Sequence, residues 1–104
     1  MITTAAADGA LRTLKIDRPE KANALDGSTV GALQEAVEEA CRSTSPFALA
    51  HEGKAFCGGF DFTDVESQSH GDLLKRFVDI ETLLQTVAYA PVATFALVGG
   101  AAFG

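Results

Sequence analysis

The amino-acid sequence predicts an α/β fold, a small β sheet with flanking helices. Three observations carry that reading. Two apolar runs, Phe47–His51 and 92–98, are too short for helices and are bounded by turn residues, as buried strands are. Two longer stretches, Gly27–Arg42 and 72–89, repeat apolar residues at helical spacing. The two kinds alternate along the chain, which is the pattern of parallel strands joined by crossover helices.

The elements follow in order. Residues 10–17 read as a strand with Leu14 and Ile16 on one face and Arg12 on the same side. Asp8-Gly9 marks a turn that could join it to a preceding strand within 1–7, although the alanines there are poor strand formers. Residues 18–25 form a loop, because Pro19 has no N–H to give a ladder. Asp26 is the expected N-cap of the first helix. Val30, Leu33, Val37, Ala40 and Cys41 share its apolar face, and Gln34, Glu35, Glu38 and Glu39 face away. Ser43-Thr44-Ser45-Pro46 stops it. After the strand Phe47–His51 comes a glycine-containing loop, then a polar connection over 64–71. The second helix, 72–89, carries a broad stripe of Leu73, Leu74, Phe77, Ile80, Leu83, Leu84, Val87 and Ala88, expected to be mainly core packing. Ala90-Pro91 ends it. Residues 92–98 read as a buried strand, and a second glycine-rich turn follows.

Composition narrows the function. The 104 residues make one small domain with a modest core. With 47% hydrophobic and 21% charged residues the chain is globular rather than disordered. A net charge of −6 leaves no basic face for phosphates, so a nucleic-acid partner and an anionic membrane surface are both disfavoured. No run of about 18 apolar residues is present, so no membrane span is expected. The first ten residues do not read as a secretory signal. The two cysteines, Cys41 and Cys57, are far apart and fit a reduced, cytoplasmic protein better than a disulfide or a metal site.

The chemistry centres on residues 54–62, Lys54-Ala55-Phe56-Cys57-Gly58-Gly59-Phe60-Asp61-Phe62. Adjacent glycines permit unusual backbone angles and close approach. A turn between a strand and a helix presents backbone N–H groups, which are donors for a developing negative charge. The second stretch, Gly99-Gly100-Ala101-Ala102-Phe103-Gly104, repeats this logic. In a parallel sheet both stretches lie at the carboxyl edge, where ligands bind. Two N–H groups aimed at one oxygen make an oxyanion hole. Glycine turns that merely connect elements are the commoner case. Neither stretch has the dinucleotide or phosphate-loop spacing. Cys57 could be a nucleophile only with a base. His51 and His70 are the candidates, and neither spacing demands contact. Two distant histidines make no zinc site. Asp61, Asp64 and Glu66 could hold a cation but read better as a solvated connection.

Residues 54–62 resemble the first motif of the crotonase (enoyl-CoA hydratase/isomerase) family, Lys/Arg-Ala-Phe-Cys/Ser-Ala-Gly-x-Asp-Leu. Arg18-Pro19-Glu20-Lys21-Ala22-Asn23-Ala24-Leu25 resembles its upstream motif. Residues 91–104 resemble the strand and turn leading to its second oxyanion glycine. The three motifs, in order, cover nearly the whole chain.

The resemblance implies a partial crotonase ββα spiral, with residues 1–104 a single partial domain. It implies that the Phe60 N–H is the first oxyanion donor. It makes Gly104 the first glycine of the second loop, with the donor at the next residue or, one register over, at Gly104 itself. Gly99 stands where the family usually has Asn, and Gly100 keeps the family glycine. Ala22, Ala24, Ala55 and the backbone at Gly58 match positions lining the coenzyme A channel, with Gly59 just before the donor. Asp61 matches a commonly acidic position and is read first as a helix cap. The implied substrate is an acyl-CoA thioester, hydration of a 2-enoyl-CoA the default reaction, and the class a lyase or isomerase of fatty acid metabolism. Coenzyme A enters only as part of the substrate, and no other cofactor or metal is implied. The full-length parent is expected to be a homotrimer or a dimer of trimers. Family members are much longer, and their acid/base glutamates would fall after residue 104. The 104-residue chain is therefore read as truncated, expected to be inactive alone and to self-associate. The alternatives are an inactive remnant or non-catalytic coenzyme A-binding module, and an acyl-CoA hydrolase of the same superfamily.

Overall fold

The computed structural model describes residues 2–6, 11–61 and 69–103. The Asp8-Gly9 turn, Asp64 and Glu66, and Gly104 lie outside the described residues. The elements are β1 (Ile2–Ala6), β2 (Arg12–Ile16), α1 (Gly27–Arg42), β3 (Phe47–His51), β4 (Ala55–Cys57), α2 (His70–Ala88), β5 (Thr94–Ala96) and β6 (Ala101–Ala102), with a 3-10 turn at Pro19–Lys21 in the expected loop.

Four strands form one sheet in the order β1-β2-β3-β5. β1 runs antiparallel to β2, with Ile2 opposite Ile16. β2 and β3 are parallel, Leu14 opposite Leu49, and β3 and β5 are parallel, Ala48 opposite Phe95. The alanine-rich β1 forms despite its weak propensity, because β2 offers it a ladder and tertiary pairing outweighs intrinsic preference. Parallel neighbours need a long return connection, which α1 supplies between β2 and β3.

α1 begins and ends as its sequence predicts. The Asp26 side chain accepts the Thr29 N–H at 2.8 Å and satisfies one of the helix's unpaired donors. Val30, Leu33, Val37 and Ala40 are buried together with Leu14, Ile16 and Phe47 from the sheet. Each of these side chains larger than alanine contributes about 1.5–3 kcal/mol when fully buried. Gln34 and Glu38 do not face fully outward as predicted. They are half-buried, and the Gln34 amide donates to Glu38 at 2.7 Å and to Thr86 of α2 at 2.9 Å, tying the two helices together.

α2 starts two residues earlier than predicted, at His70, where the Ser69 hydroxyl accepts the Asp72 N–H at 3.1 Å. Its apolar stripe is wider than the surface it meets. Ile80 and Leu83 are buried, whereas Leu74 and Leu84 are 64% and 59% exposed. The expected buried strand over 92–98 is also corrected. Only Thr94–Ala96 is strand, and all three residues are exposed. Among the described residues β5 lies at the sheet edge and pairs only with β3, which leaves Phe95, Leu97 and Val98 more than half exposed. Among the described residues no helix is long and apolar enough to cross a membrane.

Candidate functional site

The two glycine stretches are not free turns. Residues Ala55–Cys57 and Ala101–Ala102 pair as a second, parallel two-stranded sheet, an element the sequence reading did not contain. The Phe103 N–H extends the pairing by donating to the Cys57 carbonyl at 2.9 Å. On the other side, the Leu25 N–H donates to the Gly59 carbonyl and the Asp61 N–H donates to the Leu25 carbonyl, both at 2.8 Å. Residues 57–61 thus run between the 22–25 loop and the second glycine stretch. Gly59 and Asp61 turn their polar groups toward Leu25. Successive peptide groups of an extended segment alternate in direction, so the Phe60 N–H points away from Leu25.

Glycine is required where these strips touch. Gly59 has φ of +91°, in the region side chains avoid. At Gly100 a Cβ would lie 1.8 Å from the Lys54 carbonyl oxygen, so β4 and β6 can approach only without it. Gly58 sits beside the Ala22 carbonyl, where a Cβ would come within 2.9 Å.

A polar scaffold holds the strips in place. Asn23, 1% exposed, donates its side-chain amide to the Glu52 and Ala55 carbonyls, each at 2.7 Å, and accepts the Arg18 N–H at 2.7 Å. The Arg18 guanidinium donates to the Ala24 carbonyl at 2.7 Å and pairs with Asp61 at 3.0 Å and Asp26 at 3.3 Å. Arg76 of α2 donates to the Asp61 carbonyl. Hydrogen bonding from Thr29 holds the Asp26 carboxyl below its usual range, against the opposing effect of burial, with the Arg18 charge assisting.

Of the residues singled out from sequence, Ala22, Ala24, Ala55, Gly58, Gly59, Phe60 and Asp61 fall in this one assembly, with Gly100 against Lys54. Asp61 is buried against Arg18, and α2 takes its cap from Ser69; residues 62–68, where a helical turn directly after Asp61 would fall, lie outside the described residues. Arg18, Asn23 and Arg76 were not singled out. Arg18 and Asn23 lay within a recognised motif, but what exposes their role is burial and partners distant in sequence, Asp61 for Arg18 and Glu52 and Ala55 for Asn23.

The cysteine and histidines do not assemble as a nucleophile and base. The Cys57 sulfur accepts the Gly59 N–H at 3.4 Å. His51 Nε2 accepts the Gly99 N–H at 3.0 Å, which commits its basic nitrogen, and His70 is exposed at the start of α2. Beside the strips lies an apolar cavity of about 330 Å³, lined among others by Cys57, Phe60, Leu83, Val87, Ala102 and Phe103. A hydrocarbon chain is the chemistry that suits such walls.

An α/β layer carrying two paired glycine strips beside an apolar cavity is the crotonase fold. The family model for enoyl-CoA hydratase/isomerase matches residues 6–104, and the chain belongs to that family. A Rhodobacter capsulatus protein described as "Probable enoyl-CoA hydratase" is 33% identical over 96 residues, covering 90% of this chain and 37% of the relative. A Bacillus subtilis protein described as "Putative enoyl-CoA hydratase/isomerase YhaR" is 33% identical over 101 residues, with 95% of this chain and 40% of the relative covered. Among solved structures, one from Bordetella parapertussis described as a "putative enoyl-CoA hydratase/isomerase" superposes with a TM-score of 0.89 at 45% identity, covering 95% of this chain and 41% of that one. The enoyl-CoA hydratase of Mycobacterium smegmatis gives 0.86 at 26% identity. The chain spans about two fifths of the length of these relatives.

Proposed function

We propose that this chain forms the carbonyl-polarising part of an enoyl-CoA hydratase/isomerase site. The Phe60 N–H is the first donor to the thioester oxygen, and the second glycine stretch, at Gly104 or the residue after it, supplies the other. The observation that carries the reading is the bracing of Gly59 and Asp61 by Leu25, which turns the intervening Phe60 N–H the opposite way.

Negative charge building on a thioester oxygen acidifies the α-carbon and makes the β-carbon electrophilic. Donors held in place beforehand stabilise that charge without having to reorganise. The apolar cavity beside Phe60 and Phe103 accepts the acyl chain, and the strips at Ala22, Ala24, Ala55 and Gly58 accept the coenzyme A arm. Hydration of a 2-enoyl-CoA is the default reaction, with acid/base groups supplied by other residues of the parent enzyme. That parent is a lyase or isomerase of the cytoplasm, assembled as a homotrimer or a dimer of trimers.

The test replaces one atom. Phenyllactate incorporated at position 60 exchanges the Phe60 N–H for an ester oxygen and keeps the side chain. A push–pull enoyl thioester, dimethylaminocinnamoyl-CoA, reports carbonyl polarisation by a red shift of its absorption. The unmodified chain is expected to shift it and the ester form to lose that shift. In an active parent enzyme the same exchange is expected to lower kcat about 10²–10³-fold. An equal red shift in both forms would overturn the reading.

A further inference from the structure

We propose that His51 is the positioning residue that sets the second glycine stretch against the first. One imidazole touches both. Its Nε2 accepts the Gly99 N–H at 3.0 Å, two residues before β6. Its ring stands edge-on to Phe56 of β4, centroids 5.6 Å apart and planes at 88°. Gly99 leaves the room for this contact, since a Cβ there would lie 3.2 Å from Nε2. His51 is the last residue of β3, an interior strand of the four-stranded sheet, so the contact refers the second stretch to a rigid element.

The contact has a protonation requirement. A ring nitrogen accepts a hydrogen bond only when it carries no proton, so Nε2 is bare and the proton of the neutral ring sits on Nδ1. Nδ1 is buried and has no hydrogen-bond partner among the described residues. Protonating Nε2 would set two donors face to face and release Gly99. The charged groups on the surrounding elements are Glu52 and Lys54 on the turn after β3, and Lys15 and Asp17 at the end of β2, with Lys15 and Glu52 paired at 2.9 Å. Of these, Glu52 directly follows His51 in the chain, while residues 90–103 contribute no carboxylate, lysine or arginine. The consequence is a glycine stretch that is held while the imidazole is neutral and let go when it is charged. Its effect on the thioester site rests on the carbonyl-polarising reading above.

Two measurements test this. In the 15N-labelled 104-residue chain, a through-hydrogen-bond coupling between His51 Nε2 and the Gly99 amide nitrogen is expected at neutral pH. It should vanish, with movement of the amide signals of residues 99–103, as the ring 15N shifts report protonation. No coupling at neutral pH, or one that survives ring protonation, would overturn the proposal. The second measurement uses the chromophoric thioester with two variants. His51→Phe keeps the ring on Phe56 and loses the acceptor, whereas His51→Gln restores a carbonyl acceptor. The red shift is expected to be lost in His51→Phe and regained in His51→Gln, without the acid limb of the unmodified chain. An undiminished red shift in His51→Phe also overturns it. Should that variant fail to fold, the coupling and its loss on acidification decide. Should the unmodified chain give no red shift at all, the carbonyl-polarising reading fails while the coupling still judges the role of His51.

Discussion

Asn23 and Ala55, separated by 32 residues in sequence, are joined by a 2.7 Å hydrogen bond from a side-chain amide that is almost wholly buried. The same amide reaches the Glu52 carbonyl, so one residue braces both ends of the turn entering the first glycine stretch. Its backbone has φ of 57°, in the left-handed region that Asn tolerates better than most side chains.

Asn23→Ala leaves two carbonyls and the Arg18 N–H without their partner. A loss of about 2–4 kcal/mol in unfolding free energy is expected from urea titration, given about 1–3 kcal/mol for each buried group left unsatisfied. Asn23→Asp should cost at least as much, because it turns an acceptor toward two acceptors. A loss below about 1 kcal/mol for both variants would show that the turn holds itself.

Arg18 and Asp61 form a pair whose side chains are 16% and 7% exposed. Arg18→Met takes the guanidinium away from a buried carboxylate and is expected to cost about 3–5 kcal/mol. Asp61→Asn should cost less, because Arg18 keeps Asp26 and the Ala24 carbonyl. The double variant should be less damaging than the sum of the two, and strict additivity would show that the pair is not coupled.

Asp26 predicts an acid dependence of stability. Its carboxyl is held below the usual range, first by hydrogen bonding from Thr29. A group with a depressed folded-state pKa contributes stability above its unfolded value and loses it as the pH falls through the folded one. Asp26→Ser keeps a capping oxygen but does not titrate. Thermal melts of the two forms should therefore converge as the pH drops below the ordinary carboxylate range, starting from a gap of about 1 kcal/mol or less at neutral pH. A constant gap down to strong acid would mean that the Asp26 charge contributes nothing.

The exposed side of α2 predicts association. Leu74 and Val78, one turn apart, are 64% and 53% exposed, and Phe95, Leu97 and Val98 add a further apolar patch. Sedimentation of the 104-residue chain should show concentration-dependent self-association, reduced in the doubly substituted Leu74→Lys, Val78→Lys variant with its helical circular dichroism retained. A monodisperse monomer with a sharp melt would contradict this.

Much of the fold was readable because it is local. The Asp26 cap, the apolar period of α1 and the run of β3 each report on neighbours within a turn or a pleat, and these elements form where predicted. The site was readable in part for the same reason. Gly59 announces an unusual backbone angle wherever it sits, and Gly58-Gly59 between a strand and a helix pointed to the first stretch. β4 and β6 were not readable, since three and two residues carry no period of their own and exist only as each other's ladder.

The sequence by itself determined the α/β alternation, the faces of α1 and β2 that turn inward, and which backbone stretch could present amides. Tertiary structure alone decided which apolar residues are covered and which polar ones are not. Phe47 and Phe95 sit in similar apolar runs, yet Phe47 is fully buried on a strand with neighbours on both sides and Phe95 is half exposed on an edge. Periodicity fixes the direction in which a side chain points, and only the packed neighbours fix what it meets there. For that reason Asn23, Arg18 and His51 acquire their roles from partners that no local pattern brings together.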